Sequence, residues 1–362
     1  MISTLDRGVL IKGEQMLSER LESILRIIVG EYIFQGNPVA SETIARGHGL
    51  GVSSATVRNE VARLEEEGYI VRPHPSAGGI PSDKGYRYYV EFLITEAELS
   101  MDERLMISHL FHQVEREHEQ WTPLAAALLA RMVHNLAIVT VAKAFESRLR
   151  RLELVAVQDF LALLILLLRE TRIKQQLITF DETISQEELT IVSNKLNAAF
   201  GGLTRSQIMA QRLELSPAEK TVTKALVHVM QGEDEQRYEE PQIEGLRHVF
   251  SQPEFATSER MLSLMEVLES GRLVRSVLPQ VVGGEGVHVI IGAENREDAM
   301  RECSMVVTQY GIPGEVSGVL GVLGPTRMRY GRAISAVRYM GSLMSELVAE
   351  LSSAGRRPEN QN

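Results

Sequence analysis

One cysteine, Cys303, stands among 362 residues. A lone thiol forms no internal disulfide. With no histidine beside it in the sequence, Cys303 reads as a small buried residue rather than a nucleophile, and a reducing, cytoplasmic setting is expected. No charged-then-apolar leader opens the sequence, and no apolar run reaches the ~20 residues needed to span a bilayer. The glycines never spell GxGxxG between a strand and a helix, so the dinucleotide fingerprint is missing. Of the histidines in the segment after residue 100, His112 and His118 lie six apart, off one helical face. Neither they nor His109 have the cysteines or carboxylates that would complete a tetrahedral metal set. No nucleophile, base and orienting group occur together at informative spacing, so neither an enzyme nor a cofactor is expected. Positive charge is scarce too: 38 Lys and Arg face 48 Asp and Glu, for a net charge of -10. Taken over the whole chain this argues against nucleic acid. Taken locally it does not, because between Gly68 and Val90 the residues Arg72, Lys84 and Arg87 are opposed only by Asp83.

That basic stretch closes the most informative part of the chain, Val39 to Arg87. Ser41 caps a short helix that glycines at 47, 49 and 51 break, and Ser53 caps a second. In the second helix Val57, Val61 and Leu64 recur at i, i+4 and i+7 and form a buried stripe. The opposite face centres on Asn59, with Ala55, Thr56, Ala62 and Arg63 around it and Arg58 at its flank, and Ser54 at the helix start is a further expected DNA contact. Amide, hydroxyl, guanidinium and small methyl groups are the chemistry that reads base edges in a major groove. Asn59 and Thr56 are expected to read bases, and Arg58 and Arg63 to contact bases or phosphates. The acidic run Glu65 to Glu67 is expected to lie away from the groove. After Gly68 come a β-prone run, a loop from Arg72 to Gly79 holding His74 and Ser76, and a return at Ile80. Helix, turn, helix and two-stranded ribbon is the order of a winged helix. Arg72, His74, Ser76, Lys84 and Arg87 are the expected contacts of its wing and exit, with Arg72 and Lys84 on phosphates. Winged helices also serve as protein-docking modules, and that reading stands beside the first.

Elsewhere the pattern is organisational. Residues 1–16 form an extension, and a helix capped by Ser18 carries Leu21, Ile24, Leu25, Ile28 and Tyr32 on one apolar face. Tyr86, Tyr88 and Tyr89 read as packing between domains rather than as base-stacking groups. Ser100 with Glu103 and Ser185 with Glu188 are capping boxes, and Thr122 with Pro123 reads as a helix start. From Ala137 to Phe180 the runs AIVTVAKA, LELVAV, LALLILLL and RIKQQLITF predict an antiparallel meander, with Leu161 to Leu168 as a strand covered on both faces. Helices follow from Ser185 to Phe255. A hairpin is expected from Val281–Val282 and Val287–Ile291, then a strand in VSGVLGVLGPTRM, a helix from Arg332 to Leu351 and a polar tail. The fold class expected is α+β, and near-neutral charge over the first 90 residues calls for dimerisation to reach useful DNA affinity.

The stretches LSERLESILRIIVGEYI, PVASETIA, SSATVRNEVARLEEEGYIVRPHPSAGGIPSDKGYRYYV, IGAEN and YGIPGEVSGVLGVLGPTRMRYGRAISAVRYM resemble the heat-inducible transcription repressor family HrcA. Two positions depart from the family pattern: Gly79 stands where Arg is usual in the wing, and Arg329 where an acidic residue is common. The resemblance names the segments that the residue pattern marks out as a winged-helix DNA-binding domain (17–92), a GAF-like domain in two parts (93–184 and 256–352) and an inserted dimerising domain (185–255), while the polar residues 353–362 are expected to form a disordered tail. It also implies a homodimer that binds double-stranded DNA at an inverted-repeat operator of the CIRCE type and represses chaperone operons in the heat-shock stress response. The GroEL chaperonin is implied as the partner that keeps it active. Gating by a small ligand in the GAF-like domain is the alternative function.

Overall fold

The computed structural model describes residues 16–47, 50–74, 77–95, 97–114, 117–144, 147–168, 173–235, 241–255, 257–273, 286–313 and 315–354. It is a mixed α and β structure with antiparallel sheets, and contacts divide it into two compact units. The first draws on residues 1–142, 240–313 and 317–362, and the second on 143–239 with 314–316. Among the described residues no helix is long and apolar enough to cross a membrane.

The first unit opens with α1 (Glu19–Gln35). Ser18 caps it by accepting the Leu21 N–H, and Gly36, at φ 70°, ends it in the left-handed conformation that favours glycine. Its buried face is Leu21, Ile24, Leu25, Ile28 and Val29. Helix α2 (Ser41–Gly47) and helix α3 (Ser54–Glu66) pack on it, and α3 buries Val57, Val61 and Leu64. Strands β1 (Ile70–Val71) and β2 (Ile80–Pro81) then pair antiparallel. Gly79 extends the ribbon by exchanging two hydrogen bonds with Val39, at 2.9 and 3.0 Å. Helix α4 (Asp83–Tyr88), capped by Ser82, runs into a π-helical turn at Tyr89–Leu93. Next come α5 (Met101–Gln113), α6 (His118–Val133) and β3 (Leu136–Val139). Pro123 does not start α6 as its sequence context suggests. The helix begins at His118, so Pro123 sits inside it and removes only the N–H that would reach the Glu119 carbonyl.

The second unit follows in the chain with β4 (Lys143–Ala144), β5 (Leu149–Gln158), β6 (Leu161–Leu168) and β7 (Ile173–Thr179). Strands β5, β6 and β7 make a three-stranded antiparallel sheet in which Leu163 faces Val155 on one side and Leu177 on the other. Helices α7 (Gln186–Phe200), α8 (Arg205–Ala210) and α9 (Pro217–Glu235) complete the unit. Leu164 and Leu166 bury in one core with Leu189, Leu196 and Leu226. Asn197 ties helix to sheet, accepting the Leu152 N–H and donating to the Leu152 carbonyl, both at 2.8 Å. The meander and the helices read as an insertion therefore share a core, and the compact unit starts at 143 where the sequence pattern places the boundary at 185. Burial of β6 also differs from expectation. Its even-numbered residues are buried, while Leu161, Leu163, Ile165 and Leu167 are only half-buried, so one face is covered and the other is open.

The chain re-enters the first unit through β8 (Gln242–Glu244), α10 (Leu246–Phe250) and α11 (Ser258–Glu269). Strands β9 (Val287–Ile291), β10 (Cys303–Ile312) and β11 (Val316–Pro325) lead to α12 (Tyr330–Ala354). The strands order as β8-β3-β11-β10-β9. Strand β9 pairs with β10, Val289 opposite Val306. The hairpin partner expected at Val281–Val282 lies outside the described residues, as do the extension at 1–15 and the tail from 355. Helix α12 packs on β10 and buries Ile334, Val337, Met340 and Met344, while α6 lies on β3. Cys303 is fully buried, and burial pushes its thiol up to about 12, far from a reactive thiolate.

Candidate nucleic-acid interface

Ser53 sets the start of α3. Its hydroxyl oxygen accepts the Thr56 N–H at 3.1 Å and lies 2.9 Å from the Thr56 hydroxyl. This cap leaves Ser54 exposed at the helix start, and Arg58 and Asn59 exposed and Thr56 half-buried, off the side of the Val57, Val61, Leu64 stripe. The helix N-terminus, with its free N–H groups and positive dipole end, belongs to the same surface. Arg58 enters no ion pair among the described residues and is free to meet an anion. Arg63, nearer the other end, is exposed and pairs with Glu67 at 2.8 Å. The carboxamide of Asn59 and the guanidinium of Arg58 are both able to make paired hydrogen bonds to base edges.

The ribbon is held close to α3 by short-range contacts. Gly68, at φ 78°, turns the chain after the helix. Ser82 donates to the Gly68 carbonyl at 2.6 Å, and a Cβ on Gly85 would collide with the Tyr69 carbonyl, so α4 touches the turn backbone directly. Lys84 donates to the Glu67 carbonyl at 2.9 Å and rides 4.2 Å from the Tyr69 ring centroid. Arg72 donates to Glu65 at 2.8 Å. The acidic run is therefore not remote from the interface: Glu65 and Glu67 sit against its cations, because Gly68 folds the ribbon back on the end of α3. The Arg72–Glu65 pair is part-buried, with Arg72 22% exposed, so a phosphate reaching Arg72 has to displace Glu65. His74 is exposed, and Ser76 lies outside the described residues.

Arg87 is turned the other way. Its guanidinium donates to Glu294 at 2.9 Å and to the Val289 carbonyl at 2.8 Å, with its side chain only 14% exposed. Its expected place among the DNA contacts is thus corrected: it joins α4 to the β9 strand and the loop after it. Asp83 acts beside it, accepting the Ala293 N–H at 2.8 Å, and a Cβ on Gly292 would strike the Asp83 carboxylate. Nothing in the local pattern of DKGYR or IGAEN shows that the two motifs meet, 207 residues apart. A second tie runs through Arg327, which pairs with Glu254 and packs on the Gly36 turn that ends α1. Tyr86 and Tyr88 are buried and Tyr89 is half-buried: Tyr86 lies 5.9 Å from Tyr330, and Tyr88 donates to Glu22 at 2.7 Å.

Residues 119–334 match the family described as HrcA protein C terminal domain. The chain belongs to the HrcA family. Among similar proteins is a heat-inducible transcription repressor HrcA of Dehalococcoides mccartyi, 49% identical over 336 residues, covering 93% of this chain and 97% of that one. Another of the same name, from Chloroflexus aurantiacus, is 40% identical over 363 residues, covering 95% and 97%. A crystal structure of a hypothetical protein at 2.2 Å resolution shares the fold, with a TM-score of 0.55 at 24% identity over 92% of this chain and 98% of that one. The family relationship thus spans both the α3 region and the sheets.

Proposed function

We propose that this chain is a transcriptional repressor that binds double-stranded DNA as a homodimer, with α1 to α4 as a winged helix, α3 as its recognition helix and the β1–β2 ribbon as its wing. The observation that carries the reading is the exposed side of α3, where Asn59, Thr56 and Arg58 lie near the capped N-terminus that opens at Ser54, on a helix whose other end meets the wing. Asn59 and Thr56 read bases, Arg58 and Arg63 contact bases or phosphates, and Arg72, His74 and Lys84 position the module on phosphates. The relatives' name, heat-inducible transcription repressor, supports control of a heat-shock response. The family resemblance supplies the finer terms: a CIRCE-type inverted repeat before chaperone operons, a GAF-like identity for the larger sheet, and GroEL as the chaperonin that maintains activity.

Dimerisation is supported by β6. A strand reading LALLILLL with one face half-open leaves Leu163 beside the exposed Val155 and Leu177, and Leu167 beside the exposed Ile173. The apolar stripe along β6 is flanked by Arg151, Glu153 and Gln175 of the neighbouring strands, and a second copy laid on it would bury the leucines inside that polar rim. Two modules on a two-fold particle then bind two half-sites, which offsets the weak phosphate attraction of one near-neutral module.

The test is titration of operator and random DNA across a salt series. Asn59→Ala should cost ~1–3 kcal/mol on the operator and little on random DNA. Arg72→Ala or Lys84→Ala should weaken both alike and lower the salt slope by about one unit. Equal losses on both DNAs for Asn59→Ala would remove α3 from the base-reading role.

A further inference from the structure

A cavity of about 750 Å³ opens beside the end of α6, and none of the proposed DNA contacts lines it. Its size falls within the range of small-molecule sites. Ala127, Ile243 and Leu246 give it an apolar floor. Arg131 and Arg247 line it from two elements, α6 and α10, and Glu244 is the one carboxylate among its described lining residues. Many of the described arginines are matched with carboxylates, Arg87, Arg104, Arg272, Arg327 and Arg332 among them. Arg131 and Arg247 enter no ion pair among the described residues.

Two imidazoles complete the wall. His134 and His248 face each other with ring centroids 5.4 Å apart. His134 is the one non-glycine with positive φ among the described residues, at φ 56°, in the position after α6 where glycine or asparagine usually sits. Holding a β-carbon in that conformation costs free energy, and such costs gather where a side chain must be aimed. The pKa of His248 is lowered by burial first, and then by Arg247 and His134.

We propose that this cavity binds a small organic oxyanion, with a dianionic head held by Arg131 and Arg247 and a compact apolar body resting on Ala127, Ile243 and Leu246. Guanidinium groups pair with carboxylate and phosphate oxygens in a two-pronged geometry, and neutral imidazoles add N–H donors. The chemistry is shared by phosphomonoesters and dicarboxylates. The cavity also sits where occupancy can be felt: α10 leads directly to Glu254, the partner of Arg327 at the Gly36 turn.

Calorimetric titration of the full-length protein tests the site, with phenyl phosphate and phthalate as dianionic probes and benzyl alcohol as the neutral control. At least one dianion should bind saturably, one per chain, and benzyl alcohol should not. The tighter of the two dianions identifies the head group. Arg131→Gln combined with Arg247→Gln should weaken binding about tenfold or more. His134→Gly relieves the left-handed strain, so it provides a folded variant, and it should weaken binding several-fold. Absence of binding by either dianion up to about 10 mM, or unchanged affinity in the folded variants, overturns the proposal. No DNA enters the measurement, so its failure and that of the operator reading are separate.

Discussion

Two arginines in one module show how little residue type alone decides. Arg58 and Arg87 both follow from a basic, polar stretch, yet the first is exposed on α3 and the second is engaged by Glu294 and the Val289 carbonyl. Removing Arg87 leaves a partly buried carboxylate without its partner. Arg87→Ala should therefore lower folding stability by about 2–3 kcal/mol, less than a fully buried pair because Glu294 keeps some solvent. It should leave the salt slope of DNA binding unchanged. Denaturant unfolding and the same salt series check this: a slope reduced by one unit with stability intact would return Arg87 to the phosphate contacts. Gly79 is a second case. It takes no part through a side chain, and it holds the wing by its backbone pairing with Val39, while an Arg at this position, as in the family pattern, would press on the Ile70 side chain.

At the level of elements, caps double as joints. The Ser100–Glu103 capping box starts α5, and the same Glu103 carboxylate is gripped by Arg332 of α12, 229 residues away. The hydrogen bond from Arg332, then those from Ser100, hold Glu103 down to about 2 from its usual 4.5. A carboxylate lowered on folding contributes stability that is fully present above 4.5 and is lost as the pH falls toward 2. The side chain is about one third exposed, so the effect is modest, ~1 kcal/mol or less. Glu103→Gln should lower the melting temperature at neutral pH, with the difference from the parent closing as the pH falls from 4.5 to 2. A difference that stays constant across that range would show that the side chain acts by shape and not by charge. The ribbon obeys the same economy of contact: two residues per strand are too few to stand alone, and Val39, Ser82 and Gly85 supply what the pairing lacks.

For the whole molecule, the open face of β6 makes the strongest demand. Leu163→Glu puts a charge between Val155 and Leu177 on that face. If the face joins two copies, light scattering should report a monomer with its helix content retained, and operator affinity should fall well below that of the parent. A variant that remains dimeric would place the joint elsewhere. The division of the chain teaches a related lesson. The boundary read at 185 falls inside a unit that starts at 143, since turn and cap signals mark where an element ends but not which core it enters.

What could be read from the chain itself was whatever near neighbours decide. The Ser18, Ser53, Ser100 and Ser185 caps, the Val57, Val61, Leu64 stripe and the polar face around Asn59 all rest on spacings of three to seven residues, which helix geometry converts into contacts without help from the rest of the molecule. The choice between distant partners belonged to the tertiary structure: the inward turn of Arg87, the approach of Glu65 to Arg72, the separation of β3 from β5–β7 and the cavity between α6 and α10. Many residues satisfy the same local pattern, and only chain topology brings one particular carboxylate, strand or cation within bonding distance.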